Sequence, residues 1–225
     1  MDAELKRIPI WFKHYLQFEE ELIEIDVDLN YPIVTERWIG THLFIVRLNN
    51  ELEEAEVDEK PPSCWHLGRQ RFSGHREEVY SCTLLPSNKS EFVSRLAWGS
   101  DCFVSEHDDG EYYKSLMVPE EFRDLSSVLV SLLELLGPSA DRSHTCTSRH
   151  TFAAPLDTDC RKLEEVTAGI GFSKASDDIE SGVRRLIFVS KRSLRLEVQH
   201  FDLARMYVIA RGCDLSYEGV EFDLR

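Results

Sequence analysis

Carboxylate pairs are the residues of this sequence that could most readily perform chemistry. Glycoside hydrolysis requires two Asp or Glu side chains that face each other across a pocket, and sequence spacing does not display such pairs. The candidates are Glu164 and Glu165 on a predicted short helix and Glu197 on a predicted strand. An ordinary place on the solvated surface is the competing interpretation for each, because acidic side chains are mostly exposed in folded proteins.

Cysteine and histidine form two sparse groups that could be tested for metal binding. In neither group do the spacing and order match a standard zinc module. We therefore predict no metal and no cofactor. The six cysteines are widely scattered, which favours reduced thiols in a cytosolic or nuclear setting. The first group consists of Cys64, His66, His75 and Cys82, and the second of His144, Cys146 and His150.

Several signatures of common enzyme classes are missing from the sequence. There is no phosphate-binding P-loop and no dinucleotide fingerprint, and Gly169-Ile170-Gly171 is too short to cradle a pyrophosphate. No serine lies in a nucleophile elbow. No cysteine has an arginine six positions later, as the phosphate loop of a cysteine phosphatase requires. These absences argue against each of the corresponding enzyme classes.

The charge balance restricts the partners of the chain. There are 41 acidic and 26 basic side chains, giving a formal net charge of -15. Such a field repels phosphate backbones and anionic lipid, so we expect neither direct nucleic-acid binding nor membrane binding, whereas basic nuclear proteins are plausible partners. No apolar run approaches the roughly 20 residues that cross a bilayer. One local basic patch is conceivable, formed by Arg184, Arg185, Lys191, Arg192 and Arg195.

A central helix is the clearest predicted element. Pro119 suits the first helical position, and Gly137 lies just beyond the predicted end at residue 136. An apolar stripe from Phe122 to Leu136 gives this helix a face to bury. Helical spacing of aromatic residues also predicts a helix over 11–22.

The remaining segments predict mainly strands. Alternating residues predict a strand over 41–48 and an extended segment over 112–118, and a short helix is expected over 159–167. The acidic loop 49–62 has a composition that need not be ordered. In the last third, four predicted strands form an antiparallel meander. They cover residues 185–190, 194–199, 205–210 and 220–224.

Together these elements predict one α+β domain over residues 1–225. The predicted domain has an N-terminal helix and strand, a central helix, and a C-terminal antiparallel meander packed against that helix. The amino-terminal residues lack the basic-then-apolar order of a signal peptide, so we expect no export.

Several strings along the chain occur in an order shared with a known family. They are Arg71-Phe72 before a strand, a helix over 90–96, 112–118 followed by Pro-Glu-Glu-Phe-Arg-Asp-Leu at 119–125, Lys-Leu-Glu-Glu-Val at 162–166, the strands 186–190 and 194–198, and Val-Ile-Ala-Arg-Gly-Cys-Asp-Leu-Ser at 208–216. These strings resemble the RolB/RolC family of plant-oncogene proteins encoded on the T-DNA that Agrobacterium transfers to plants. The resemblance covers about two thirds of the chain, and its final string is similar to the end of the tumour-morphology members.

The resemblance implies a protein made in the cytoplasm or nucleus of the transformed plant cell. Family members shift the response of that cell to auxin and cytokinin, and some are described as glycosidases that release hormones from sugar conjugates. A relative is described as similar in fold to ADP-ribosylating toxins. The toxin pattern fails here, because no Glu-x-Glu follows Thr147-Ser148. No catalytic residue is therefore carried over from the family.

Three functional hypotheses follow from the sequence. The first is a RolB-like modifier of hormone response that hydrolyses hormone glucosides. The second is a non-enzymatic acidic protein that binds basic host nuclear or regulatory proteins. The third is an enzyme that transfers ADP-ribose, which would require a pocket for the dinucleotide. A concave pocket with two facing carboxylates favours the first hypothesis, and a smooth acidic face favours the second.

Overall fold

The structure, a computed structural model, describes residues 9–18, 20–30, 42–49, 64–82, 102–105, 112–135 and 145–223. The chain divides into two units, residues 1–120 and 121–225, and each unit is described by itself. Both contain antiparallel strands and helical segments, which confirms the predicted mixed α+β class. That residues 1–225 form a single domain stays a prediction.

The described part of the first unit is an antiparallel sheet with one short helical turn. The strand order is β1-β2-β4-β5-β3-β6. A π-helical turn at Tyr113–Met117 follows the sheet in sequence. The strands are β1 (Trp11–Phe18), β2 (Glu21–Asp28), β3 (His42–Asn49), β4 (Cys64–Arg71), β5 (His75–Cys82) and β6 (Cys102–Ser105).

The predicted N-terminal helix over 11–22 is wrong, because these residues lie in β1 and at the start of β2. Exposure alternates along β1, and in β2 every second side chain is buried, at Ile23, Ile25 and Val27. Period-two burial of β-branched and aromatic residues favours a strand. The aromatic spacing imitated a helix because rings occur on both faces of β1.

The predicted extended segment over 112–118 is also wrong. It forms the π-helical turn, closed by a hydrogen bond of 3.0 Å from Val118 N to Tyr113 O. Tyr113 and Met117, four residues apart, are both buried. The Tyr113 hydroxyl donates to the carbonyl oxygen of Asp28 at 2.5 Å and so ties the turn to the end of β2.

The elements of the second unit are α1 (Glu120–Leu135), β7 (Thr145–Ala154), α2 (Arg161–Gly169), β8 (Ser173–Glu180), β9 (Val183–Ser193), α3 (Leu196–Arg211) and β10 (Ser216–Asp223). After α1, the order is β-α-β-β-α-β. The sheet order is β10-β7-β9-β8 with antiparallel neighbours, the topology of ferredoxin-like domains.

The predicted C-terminal meander is half wrong. Residues 185–190 and 220–223 are in strands as expected, whereas 194–199 and 205–210 contribute to the helix α3. This helix buries Gln199, His200 and Asp202 together with its apolar residues. Buried polar residues obscure the apolar stripe by which an amphipathic helix is recognised.

The predicted central helix is confirmed as α1, with bounds one residue inside those expected. Phe122 of α1 packs against His200 and Tyr207 of α3, with ring centroids 5.7 and 5.3 Å apart. The helix therefore packs against α3 within the second unit, where a meander was expected. The short predicted helix is confirmed as α2.

Other expectations concern segments that the structure describes in part. The predicted strand over 41–48 is confirmed by β3, and the acidic loop lies, apart from Asn49, outside the described residues. The helix over 90–96 also lies outside them. In the described part of the chain, no helix has the length and apolar character needed to span a bilayer.

Candidate functional site

The structure does not bring the three carboxylates selected from the sequence together. Glu164 and Glu165 are neighbours on α2, and Glu164 pairs with Lys174 at 2.8 Å. Glu197 lies in the first turn of α3, where a strand was predicted, and its carboxylate is 3.6 Å from Arg195. That these residues are catalytic stays a prediction.

Helix packing separates Glu197 from the other two candidates. Lys162, in the first turn of α2, donates to the carbonyl oxygen of Gly212 at 3.0 Å. Gly212 caps the C-terminus of α3, whereas Glu197 lies at its N-terminus. A 16-residue helix is about 24 Å long, so Glu197 lies at the far end of α3 from this contact.

A cavity of about 790 Å³ lies within the second unit, lined by α1, the sheet and the end of α3. Its volume is in the range of small-molecule sites, about 300–1,000 Å³. The sheet residues lining it include Thr151, Arg185 and Ile187. These alternate with Phe152, Leu186 and Phe188, which are buried on the other face of the sheet.

An apolar strip forms one wall of this pocket. Leu125, Val128 and Leu132 line it from α1 at helical spacing. Val128 is 57% exposed, which is high for a large aliphatic side chain. This wall therefore offers apolar surface to a ligand.

The pocket floor is a row of small and medium-sized residues across three strands. Gly219 of β10 is the register partner of Thr151 in β7, which in turn pairs with Ile187 of β9. A Cβ at Gly219 would lie 3.5 Å from Leu125 Cδ2, and the residue has φ +132°. A residue other than glycine would be strained there and would narrow the space between α1 and the floor.

A β-bulge shapes the charged end of the pocket. The register of β10 against β7 shifts between Tyr217 and Gly219, so Glu218 is the extra residue. Bulges redirect side chains and are frequent beside functional sites. Here Glu218 accepts a hydrogen bond of 3.0 Å from Arg185 Nε.

Five carboxylates and two guanidinium groups line the pocket. Arg185 contacts both Glu180 and Glu218. Arg211 lies 3.5 Å from Glu121, which also accepts a hydrogen bond of 3.3 Å from the Tyr207 hydroxyl. Burial, reinforced by the charge of Glu121, raises the pKa of Tyr207 to about 12, so this hydroxyl remains a donor at neutral pH.

The other two carboxylates of the pocket are Asp124, on α1, and Glu221, on β10. Neither forms an ion pair or a hydrogen bond with any residue that the structure describes. They belong to two elements that line the pocket, the helix α1 and the strand β10. Unpaired carboxylates in a pocket can accept hydrogen bonds from hydroxyl groups, balance a positive charge, or take part in proton transfer.

Sequence reasoning missed both of these carboxylates. Asp124 lies inside the helix that was predicted correctly, one position before the apolar residue Leu125 that faces the pocket. Glu221 lies on β10, where a strand was also predicted, over residues 220–224. Only the packing of α1 beside β10 reveals them as a pair, and that packing is a long-range feature.

The weak metal-binding groups are not assembled in the described residues, where no cluster of three or more ligands is found. Cys64 and Cys82 are register partners in β4 and β5, but His75 lies at the opposite end of β5. In the other group, Cys146 and His150 are both in β7, and His144 is outside the described residues.

The expected basic patch is largely neutralised by carboxylates. Arg184 pairs with Asp177 at 2.6 Å, and Arg192 pairs with the buried Asp202 at 3.1 Å. Arg185 and Arg195 are also paired, as described above. These ion pairs leave little free positive charge for binding an anion.

A second cluster of titratable groups lies on the sheet of the first unit. Glu78, whose side chain is 2% exposed, is 2.8 Å from His66 Nε2, 2.6 Å from Arg69 Nε and 3.7 Å from Arg76 Nε. Burial alone would raise the pKa of Glu78, but the hydrogen bond from His66 and the charge of Arg69 outweigh it and lower the pKa. Glu78 is thus a buried, fully compensated carboxylate.

His150 is a buried histidine of the second unit, on the sheet face opposite the pocket floor. It is fully buried, and its Nδ1 shares a hydrogen bond of 2.7 Å with the Tyr217 hydroxyl. Its ring meets Phe172 edge-on at 5.1 Å. Burial, together with the charge of Arg192, lowers the pKa of His150 to about 3, so it is neutral. This environment is that of a core histidine.

Comparisons with protein-family models, with curated proteins and with solved structures find no match to this chain.

Proposed function

We propose that this chain is a RolB-like modifier of hormone response in transformed plant cells, and that it hydrolyses a hormone glycoside in the pocket beside α1. The observation that carries the proposal is the placement of two unpaired carboxylates, Asp124 and Glu221, on the helix and sheet walls of one cavity. The ordered strings that resemble the RolB/RolC family support the biological setting.

The lining of the pocket suits the two parts of a glycoside. The apolar strip at Leu125, Val128 and Leu132 would cover an aromatic aglycone, and the carboxylates would accept hydrogen bonds from sugar hydroxyls. In the reaction, one carboxyl group gives its proton to the glycosidic oxygen as the bond to the sugar breaks. In one route the other carboxylate attacks the anomeric carbon, and water, deprotonated by the first group, then hydrolyses the glycosyl-enzyme ester and frees the sugar. In the other route the second carboxylate removes a proton from a water molecule that attacks the anomeric carbon directly.

The charge of the pocket argues against transfer of ADP-ribose. That reaction needs a dinucleotide whose pyrophosphate is anionic. The pocket contains three more carboxylates than guanidinium groups, and both arginines are already paired. Anion binding is therefore disfavoured at this site.

The second candidate function is binding of basic host proteins. It is favoured by the formal net charge of -15, and by the ion pairs of the arginines between residues 184 and 195, which leave little free positive charge on that segment. Capture of histones that weakens as salt rises, without any turnover of glucosides, would favour this function over hydrolysis.

The test of hydrolysis is sugar release from indole and cytokinin glucosides by the purified protein. Asp124→Asn and Glu221→Gln should each lower kcat/KM by roughly a hundredfold or more, because each removes a group that transfers protons or attacks. Asp157→Asn is the matched control, since this carboxylate is exposed and does not line the pocket. Its kcat/KM should equal that of the wild type.

Two outcomes would contradict the proposal in different ways. Absence of sugar release by the wild-type protein would remove the hydrolase function. Release that survives in both pocket variants but is lost in variants of Glu164, Glu165 or Glu197 would place the active site elsewhere.

A further inference from the structure

The pocket beside α1 has an uneven distribution of charge. Its two guanidinium groups are held by its own carboxylates, Arg185 by Glu180 and Glu218 and Arg211 by Glu121. Asp124 and Glu221 form no ion pair with any described residue, although Arg149 is the register partner of Glu221 on β7. The excess negative charge of the lining is therefore concentrated on Asp124, on Glu221 and on the two glutamates that share Arg185.

This excess lies next to apolar surface. Asp124 directly precedes Leu125 on α1, and Val128 follows one turn later on the same side. On the sheet, Glu221 is two residues from Gly219 of the apolar floor. A ligand that covers the strip thus brings its polar atoms within the field of both carboxylates, and that field is stronger beside apolar walls than in bulk water.

We infer that the pocket selects aromatic ligands bearing a positively charged or protonatable nitrogen, and rejects aromatic acids. This inference rests on the proposed function only in taking the same cavity as the ligand site. It deepens that function by stating the substrate class: glycosides whose aglycone is a nitrogen base. The apolar strip binds the ring, and Asp124 and Glu221 face the cationic nitrogen.

Three indole compounds of similar size test the inference. Tryptamine is a cation at neutral pH, indole-3-ethanol is uncharged and indole-3-acetate is an anion. Equilibrium dialysis against the full chain at low salt should give affinities in the order cation, neutral compound, anion. We expect steps of roughly three- to tenfold, the size of one partly exposed ion pair. The preference should shrink as ionic strength rises.

Variants of the two carboxylates test whether they produce the preference for the cationic ligand. Asp124→Asn and Glu221→Gln should each reduce the preference for tryptamine over indole-3-ethanol by roughly threefold or more, and leave the affinity for indole-3-ethanol unchanged. Asp157→Asn is the matched control, because this exposed aspartate of the second unit does not line the pocket. It should preserve all three affinities.

The outcomes separate this inference from the proposed hydrolysis. If indole-3-acetate binds as tightly as tryptamine, if none of the three compounds binds, or if the pocket variants keep the full preference, the inference is overturned. If the order holds but no glucoside is cleaved, the hydrolase proposal fails and the ligand preference stands.

Discussion

Glu78 in the sheet of the first unit and Glu221 in the sheet of the second unit have opposite electrostatic surroundings. Glu78 is buried, and His66, Arg69 and Arg76 surround its carboxylate. Glu221 is exposed to a pocket and has no ion-pair partner among the described residues. Each has an arginine as its register partner on the adjacent strand, Arg69 for Glu78 and Arg149 for Glu221. The difference therefore comes from burial and from the contacts that each carboxylate makes.

The first unit arranges its charges as a ladder across four strands. Lys13 is the register partner of Asp26, Asp26 of Arg69, and Arg69 of Glu78. Opposite charges at neighbouring positions of one face stabilise a sheet. The second unit pairs several arginines similarly, but Asp124 and Glu221 form no ion pair in its described part, even though Arg149 lies opposite Glu221 in the register. Charge therefore stabilises the sheet in the first unit, whereas in the pocket it is available to a ligand.

Removing the Glu78 charge should have the largest effect on stability. Glu78→Gln preserves the shape of the side chain but leaves Arg76, which is 6% exposed, without its counter-charge. We expect the free energy of unfolding to fall by about 3 kcal/mol, because breaking a buried pair on one side leaves an uncompensated charge. Urea denaturation would measure this change.

Glu24→Gln is the matched control on the same face of the same sheet. Glu24 pairs with Lys13 at 3.0 Å and with Arg71 at 2.8 Å, but its side chain is 22% exposed. Because solvent screens these ion pairs, the free energy of unfolding of Glu24→Gln should fall by about 1 kcal/mol or less. Equal losses in the two variants would show that burial does not distinguish Glu78.

The pH dependence of stability separates His150 from Glu78. Folded His150 has a pKa of about 3, whereas an unfolded histidine titrates near 6.5, so only the unfolded chain takes up this proton between those values. Stability therefore falls as pH falls through this window. The lowered pKa of Glu78 has the same sign, but its contribution is lost only below the usual glutamate pKa of about 4.5.

Denaturation at pH 7 and pH 5 tests this difference. Between pH 7 and pH 5, the free energy of unfolding of the wild type should fall by about 2 kcal/mol more than that of His150→Gln. This figure follows because one proton taken up on unfolding changes the free energy by about 1.4 kcal/mol per pH unit. His14, whose pKa is also lowered by burial, contributes in both proteins and cancels in the comparison. The free energy of unfolding of Glu78→Gln should fall as much as that of the wild type over this pH range. If it falls equally in His150→Gln and in the wild type, His150 is not the group responsible.

Local signals predicted the elements whose ends or periodicity are clear. Pro119 and Gly137 delimit α1 to within one residue, and alternation identifies β3 and β9. The failures have physical causes. In β1, aromatic residues on both faces imitate helical spacing, and in α3 the buried Gln199 and Asp202 obscure it. Tertiary packing decides such segments.

The candidate site was less predictable than the fold. Glu164, Glu165 and Glu197 were selected because they lie on predicted elements, but no local rule indicates which carboxylates face a cavity. Asp124 and Glu221 are almost a hundred residues apart in sequence and are brought to one pocket by the packing of α1 beside β10. The β-bulge at Glu218, which shapes the same pocket, likewise becomes visible only from the pairing of β10 with β7.

Removing the two unpaired charges of the pocket should have the smallest effect on stability. Asp124→Asn and Glu221→Gln remove exposed charges that form no ion pair with a described residue, so each free energy of unfolding should stay within about 0.5 kcal/mol of the wild type. A slight gain is expected for the double variant, because like charges in one cavity repel. These are the variants expected to lose activity and cation preference. Loss of stability as large as that of Glu78→Gln would instead give Asp124 and Glu221 a structural role, and the contrast between the two units would disappear.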